Sequence, residues 1–290
     1  MRKRRFGDRY DGYRIRKGDP TNVIIPYLMK ERSDAQVFFD TELDITKVEA
    51  LIRQKRKEGM DIGILDYMIS GLVRALSQYP RVNRFVAGRR LYARNELLIS
   101  MAVKKNLDID TPETIVKFKF NPEDTINDIS ANIREVIAQN KGADSSNNMD
   151  GFVKIVNHLP RFLYSAAANF VTWLDFHGIM PKYINRISPF HTSMFLTNMG
   201  SLGSDPVYHH IYNWGTTSVF VAMGRKRKVT ITDNDGNVIE KKMLKIRFTG
   251  DESIADGFYL SKFPKYLNYL FLNPELLDAP PEQVFEDDQI

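Results

Sequence analysis

Residues 243–257 read MLKIRFTGDESIADG. Within them Leu244, Ile246 and Phe248 alternate with Lys245, Arg247 and Thr249, the period-2 pattern of a half-buried strand. The pattern stops at Gly250. An acidic loop (Asp251, Glu252) follows, and Asp256-Gly257 then opens a largely apolar helical stretch. A strand that runs into a loop of ionisable residues holds solvent-reachable groups on a rigid support, a natural place for chemistry.

Working outward, the preceding residues predict a hairpin, Val229–Thr232 and Val238–Glu240 around Asp235-Gly236. Upstream of it come strands at 217–223 and 192–198. In the first half, Val37–Leu43 reads as a strand, and Thr46 with Glu49 has capping-box spacing for a helix reaching Gly59. Residues 65–79 carry Leu65, Met68, Ile69, Leu72, Val73 and Leu76 on one stripe and stop at Pro80. Strands are expected at 90–93, 97–103 and 114–120, and Thr125-x-x-Asp128 opens a further amphipathic helix. The polar run Lys141–Asn148 is the best internal boundary, an apolar helical region extends to Met180, and the last helix is expected to break at Pro264. Hairpins and long polar connections argue against a regular parallel βαβ series and for an α/β protein with a mixed sheet and helices on one face.

Composition bounds the chemistry. The 290 residues contain no cysteine, which removes disulfides, thiolate metal sites and cysteine nucleophiles. The net charge of +5 lies entirely within residues 1–20, which hold eight Lys or Arg against three Asp. No recognisable nucleic-acid reading module follows that basic stretch, so it reads as a solvated arm and no nucleic-acid partner is expected. The other end is acidic, with six carboxylates and no Lys or Arg after Lys265. Phe162–Met180 is the most apolar stretch, but Asn169, Asp175 and His177 interrupt it. It reads as a buried or subunit-facing helix, not a stable membrane insertion. Without a secretory pattern at the basic start, the default location is cytoplasmic.

The focal stretch resembles the signature of the acyltransferase (E2) catalytic domain of 2-oxoacid dehydrogenase complexes and of chloramphenicol acetyltransferase. In those proteins a strand leads to Asp-His, three residues, then Asp-Gly. Asp251 takes the place of the first Asp, Asp256-Gly257 take the closing pair, and Glu252 stands where the family has its catalytic histidine. The resemblance extends through LDYMISGLVRALSQYPRVNRFV, LLISMAVKK, the Ser-Asn-x-Gly-like Thr197-Asn198-Met199-Gly200, TTSVFVAMGR, and Asn273-Pro274-Glu275-Leu276-Leu277. It implies a chloramphenicol-acetyltransferase-like two-layer sandwich over 33–277, flanked by a basic arm (1–32) and an acidic tail (278–290). It also implies a homotrimer with sites at subunit interfaces, and a coenzyme A thioester, or an acyl-carrier thioester, as substrate. The lipoyl-carrying and subunit-binding domains of full E2 chains have no counterpart in these residues. The segments 110–125 and 151–180 depart from the family's pattern, which leaves acyl group and acceptor unassigned.

Three residues are the catalytic candidates by this resemblance: Thr197 for the oxyanion, Glu252 in the base position, and Asp256 as an orienting or loop-shaping group. The alternative for Thr197 is a strand-end threonine chosen for β-propensity, and the surrounding Thr-Asn-Met-Gly match favours the functional placement. Glu252 can be a base if burial raises its pKa, or a structural carboxylate paired with an Arg or Lys, or another residue can have replaced it. His191 is a possible substitute, although six residues of strand place it about 20 Å from Thr197. His209 and His210 read as loop or packing histidines, and no metal site is expected. Asp233-Asn234-Asp235-Gly236 is a turn, not a calcium loop, since Leu244 stands at the twelfth position. The reading is therefore a CoA-dependent acyltransferase. The alternative is a non-catalytic trimeric scaffold, or an acyl-CoA-binding regulatory protein, of the same fold.

Overall fold

The computed structural model describes residues 2–104, 113–141, 160–232 and 235–290. In chain order the elements are β1 (Gly12–Arg14), α1 (Pro20–Leu28), β2 (Gln36–Asp44), α2 (Thr46–Lys57), α3 (Ile64–Gln78), β3 (Arg84–Ala87), β4 (Arg90–Arg94), β5 (Leu97–Lys104), β6 (Glu113–Phe120), α4 (Ile126–Lys141), α5 (Arg161–Phe176), α6 (Lys182–Ile187), β7 (Met194–Asn198), β8 (Val219–Thr232), β9 (Val238–Asp251) and α7 (Gly257–Leu272). The residues expected to form an internal boundary at 142–148, and the stretch 151–159, lie outside the described residues.

A six-stranded sheet in the order β2-β9-β8-β7-β5-β6 forms the body. The β5–β7 and β7–β8 pairs are parallel and the other neighbours antiparallel, the mixed sheet that the sequence predicts. Alternation sends Leu244, Ile246 and Phe248 of β9, Val219 and Val221 of β8, and Leu196 of β7 to one face. There they bury against the stripe of α3 (Met68, Ile69, Leu72, Leu76), against Ile129 and Ile133 of α4, and against Leu267, Leu270 and Phe271 of α7. The opposite face carries a second row. Lys117, Ser100, Phe195, Phe220, Thr249 and Phe38 lie in register across all six strands. A smaller antiparallel sheet, β1-β4-β3, is formed beside it.

Several expectations are corrected. The strands read at 217–223 and 229–232 are one strand, β8, continuous through a bulge between Met223 and Lys226. The basic run Arg225–Lys228 joins the two as part of a long hairpin, with Lys226 on Glu49, Arg227 on Glu42 and Lys228 on Glu240. Thr46 does not cap α2. Its hydroxyl accepts from the Lys242 amide at 3.0 Å, because β9 passes close enough to claim it. The box at Thr125 does form, with Asp128 accepting from the Thr125 amide at 2.9 Å and Thr125 Oγ1 accepting from the Asp128 amide at 3.4 Å. Pro264 does not break α7: the helix runs through it while Phe263, Leu267 and Leu270 stay buried. Gly257 is an ordinary first helical residue with open space around its Cα, so the turn there does not depend on glycine.

The two chain ends are structured. Residues 2–32 supply β1, paired with β4, and α1, capped by Asp19 accepting from the Thr21 amide at 2.8 Å. The acidic end returns beneath them: Asp287 makes a buried pair with Arg84 at 2.5 Å, and the Arg16 and Lys17 amides both donate to the Gln289 carbonyl. The apolar helix α5 is not buried within the chain, with Phe162 and Phe170 72% and 59% exposed. Among the described residues no helix is long and apolar enough to cross a membrane.

Two glycines mark a backbone-to-backbone approach that side chains would prevent. A Cβ on Gly200 would collide with the Gly224 carbonyl, and one on Gly224 would collide with Pro206. The turn after β7 is thus seated directly on the bulge of β8. Gly200→Ala should lower the urea midpoint of unfolding, at a cost of about 1–3 kcal/mol from overpacking. An unchanged midpoint would show that this approach is not tight.

Candidate functional site

The focal loop sits where β9 leaves the sheet. Asp251 closes the β2 ladder opposite Gln36 and is buried at 1% exposure. Its amide donates to the Ser218 carbonyl, and its Oδ1 accepts from the Ser253 amide at 2.9 Å. Burial raises its pKa, against the lowering effect of the nearby Arg32 guanidinium. Arg32 is itself buried, donating from Nη1 to the Thr217 carbonyl and from Nη2 to the Val86 carbonyl, both at 2.7 Å. These two groups, with Asp175, Trp214 and Ser253, line a cleft of about 250 Å³.

Glu252 is half-exposed. Its amide donates to the Ala35 carbonyl at 2.8 Å, while its carboxylate has no hydrogen-bond or ion-pair partner among the described residues. Asp256 is the N-cap of α7, its Oδ1 accepting from the Tyr259 amide at 2.8 Å. A capping carboxylate satisfies one of the orphan amides of the first turn, a sufficient local reason for Asp at this position.

Thr197 lies on β7, on the face away from the helices, in register with Ala222 and Arg247. Its hydroxyl is half-buried and has no partner among the described residues. Glu252 lies five residues beyond Arg247 on β9, and β9 is two strands away from β7. That amounts to about 17 Å along the strands and roughly 10 Å across them. Within one chain the two candidates do not meet.

His191 is not on β7, which starts at Met194. It is wholly buried in a charged cluster. Its Nδ1 is 2.7 Å from Ser188 Oγ and its Nε2 is 3.2 Å from Asp175 Oδ2. The serine, histidine and carboxylate resemble a hydrolytic triad in composition, yet Ser188 and His191 are both fully buried and reach no substrate. Arg9 donates to Asp11 at 2.9 Å and to Asp175 at 2.8 Å, and Asn185 donates to Asp11 at 3.0 Å. Burial opposes the charge on Asp175, but His191 and Arg9 outweigh it and hold the carboxyl well below its ordinary range. Burial pushes His191 below its ordinary value, with Asp175 working against it. Lys117 donates from Nζ to the Asn185 and His191 carbonyls, and burial pushes its pKa down to about 7. Sequence reading missed this cluster. Its signal was Asp175, a lone carboxylate inside an apolar helix, which was taken as an interruption and not as a buried partner.

His209 and His210 lie over the Thr197 face of the sheet. The His209 ring stacks on Phe220 at 4.1 Å, and its Nδ1 is 2.8 Å from the His210 carbonyl. Among the described residues no group of three His, Asp or Glu side chains is placed to hold a metal ion.

No protein-family model matches the sequence, and no curated protein does. Solved structures match it over nearly its whole length. A probable dihydrolipoamide acetyltransferase from Listeria monocytogenes 4b F2365 superposes with a TM-score of 0.55 and 17% identity, covering 89% of this chain and 94% of that one. The cubic core of the pyruvate dehydrogenase multienzyme complex gives 0.52 and 14%, covering 89% and 88%. A chloramphenicol acetyltransferase gives 0.51 and 11%, covering 87% and 94%. The chain has the chloramphenicol-acetyltransferase-like fold. At these identities it is the fold that is shared, as the dispersed motifs of the sequence implied, and the chemistry of this chain is a separate question.

The buried cluster sets a pH dependence. Unfolded, His191 takes up a proton near pH 6.5, whereas in the fold its pKa lies lower. Its contribution is therefore complete above about pH 6.5 and is lost as pH falls from there through the folded value. The urea midpoint should drop between pH 7 and pH 5, and His191→Gln should flatten that slope. A slope unchanged by the substitution would place the dependence elsewhere.

Proposed function

We propose that the protein is a CoA-dependent acyltransferase, passing an acyl group from a thioester to a hydroxyl, amine or thiol acceptor. The observation that carries this reading is Thr197: an unpartnered hydroxyl at the end of a central strand, immediately before the Gly200 turn that fixes its position. A hydroxyl held there can donate to the oxyanion of the tetrahedral intermediate. Supporting it is a fold whose solved examples include acetyltransferases.

Thr197 and Glu252 lie about 20 Å apart along one sheet, so they belong to one site only if different subunits supply them. The reading therefore includes a homotrimer whose active sites are completed across its interfaces, working in the cytoplasm. Glu252 faces the acceptor from the neighbouring subunit, in the place of the family's histidine. Asp256 anchors that loop by capping α7. The second reading, a scaffold or acyl-CoA-binding regulatory trimer, is favoured by the glutamate itself, which stands where the family has its catalytic histidine.

Calorimetry with acetyl-CoA and longer acyl-CoA thioesters, followed by assay of CoA release, separates the two. The expected result is binding with turnover, and a Thr197→Val variant that binds equally well but loses roughly 10²–10³ in kcat. Failure to bind any acyl-CoA would leave only the scaffold.

A further inference from the structure

Helix α5 takes no part in the hydrophobic core. Of its residues only Asp175 is buried, and that carboxylate faces inward onto Arg9 and His191. At about 100° per residue, Phe162, Ala166, Phe170 and Trp173 all fall within roughly 40° of the direction opposite Asp175. The three aromatic side chains among them are 72%, 59% and 51% exposed. The Phe170 and Trp173 rings stack at 6.3 Å, and Trp173 lies 4.5 Å from the His177 ring. An aromatic stripe of this kind, turned to water, marks a surface that a partner covers.

The charges around the stripe have one sign. From residue 160 to residue 187 the only carboxylate is Asp175, already paired with Arg9. Arg161 stands exposed at the start of α5, and Lys182 and Arg186 lie exposed on α6 just beyond its end. The basic arm joins them. Arg4 donates to the Tyr10 carbonyl at 2.5 Å, and the Lys182 ammonium lies 5.8 Å from the centre of the Tyr10 ring, so the exposed residues 2–5 are anchored beside α6. On the other flank a Cβ on Gly88 would collide with the Phe176 carbonyl, and the exposed Arg89 lies over Tyr27 of α1. A second copy fits this face poorly. Both ends of α5 carry cations, so either orientation of a paired copy sets like charges against each other.

We propose that α5 docks the protein on the surface of an anionic phospholipid bilayer, lying in the headgroup plane with Phe162, Phe170 and Trp173 turned into the membrane. At 16 residues the helix is too short to cross a bilayer, so it lies along the interface. Aromatic side chains, tryptophan above all, are suited to the level of the headgroups, while the flanking Lys and Arg side chains meet lipid phosphates. Each cation brought close to such a surface adds roughly five-fold in affinity, an attraction that salt screens. The bond of Asp175 to Arg9 fixes the rotation of α5 about its axis and keeps the stripe outward. This docking is independent of the acyl-transfer reading and stands whether or not the chain is an enzyme.

The test is sedimentation of the full chain with vesicles of phosphatidylcholine alone or of phosphatidylcholine mixed with phosphatidylglycerol. The expected result is binding to the anionic vesicles only, lost when salt is raised from about 0.1 M to about 1 M. Tryptophan emission should shift to the blue on binding, and the shift should be absent in Trp173→Phe. Phe170→Glu, and separately the double variant Lys182→Glu with Arg186→Glu, should weaken binding by roughly ten-fold or more. Both should keep the urea midpoint of wild type, since these side chains are exposed. No binding to either vesicle, or binding that Phe170→Glu leaves intact, overturns the proposal. Equal, salt-insensitive binding to both compositions overturns it as well. A homo-oligomer that Phe170→Glu dissociates, with no vesicle binding, assigns the stripe to a second copy and also overturns it.

Discussion

The guanidinium of Arg9 is the constraint on which the middle of the molecule depends. It is buried between the carboxylates of Asp11 and Asp175, and Asp175 in turn meets His191. Charges withdrawn from water cost several kcal/mol each, and the cost is offset only when every partner is present. Removing one partner leaves an unpaired buried charge, so the cluster acts as a unit. It joins the first residues of the chain, the end of α5, α6 through Asn185, and the turn that leads into β7. By fixing that turn it fixes where β7 begins, and hence where Thr197 emerges on the sheet.

The rest of the candidate site follows from the sheet. The helix-covered face takes up the aliphatic residues, which leaves the other face to carry Thr197, the stacked pair Phe195 and Phe220, and the histidine laid upon it. Gly200 and Gly224 bring the backbone of the turn after β7 onto the β8 bulge. The same bulge frees the Arg225 amide to donate to the Ser204 carbonyl, so the segment ahead of His209 is held by main chain and not by side-chain contacts alone. The acidic loop continues β9 just beyond Thr249, the residue paired with Phe220, and is backed by Arg32.

Much of the fold was legible because it rests on local, periodic signals. The alternation at 244–249, the α3 stripe and the Thr125–Asp128 box all correspond to elements at nearly those positions. Errors arose where a distant partner overrode a local rule. The strands read at 217–223 and 229–232 are one, carried through a bulge and held by acidic partners on other strands and on α2. Thr46 had the spacing of a cap, but a strand about two hundred residues later took its hydroxyl. Of the candidate residues, the motifs gave only the strand-end positions of Thr197 and the acidic loop. The buried cluster and the place of His209 were illegible, because residue 9 meeting residue 175, or residue 209 lying on residue 220, is a fact of topology and not of spacing.

The pairing of β2 with β9 has a kinetic consequence. Asp44 faces Met243 and Gln36 faces Asp251, so the edge of the sheet closes only after nearly the whole chain has been made. Contacts of such separation carry the loop-closure cost before they return any stabilisation, and chains dominated by them fold slowly. Until that strand docks, β9 has an open edge. Such an edge favours association between incomplete chains. The closure of residues 36–44 onto β9 is therefore the long-range step on which the edge of this sheet waits.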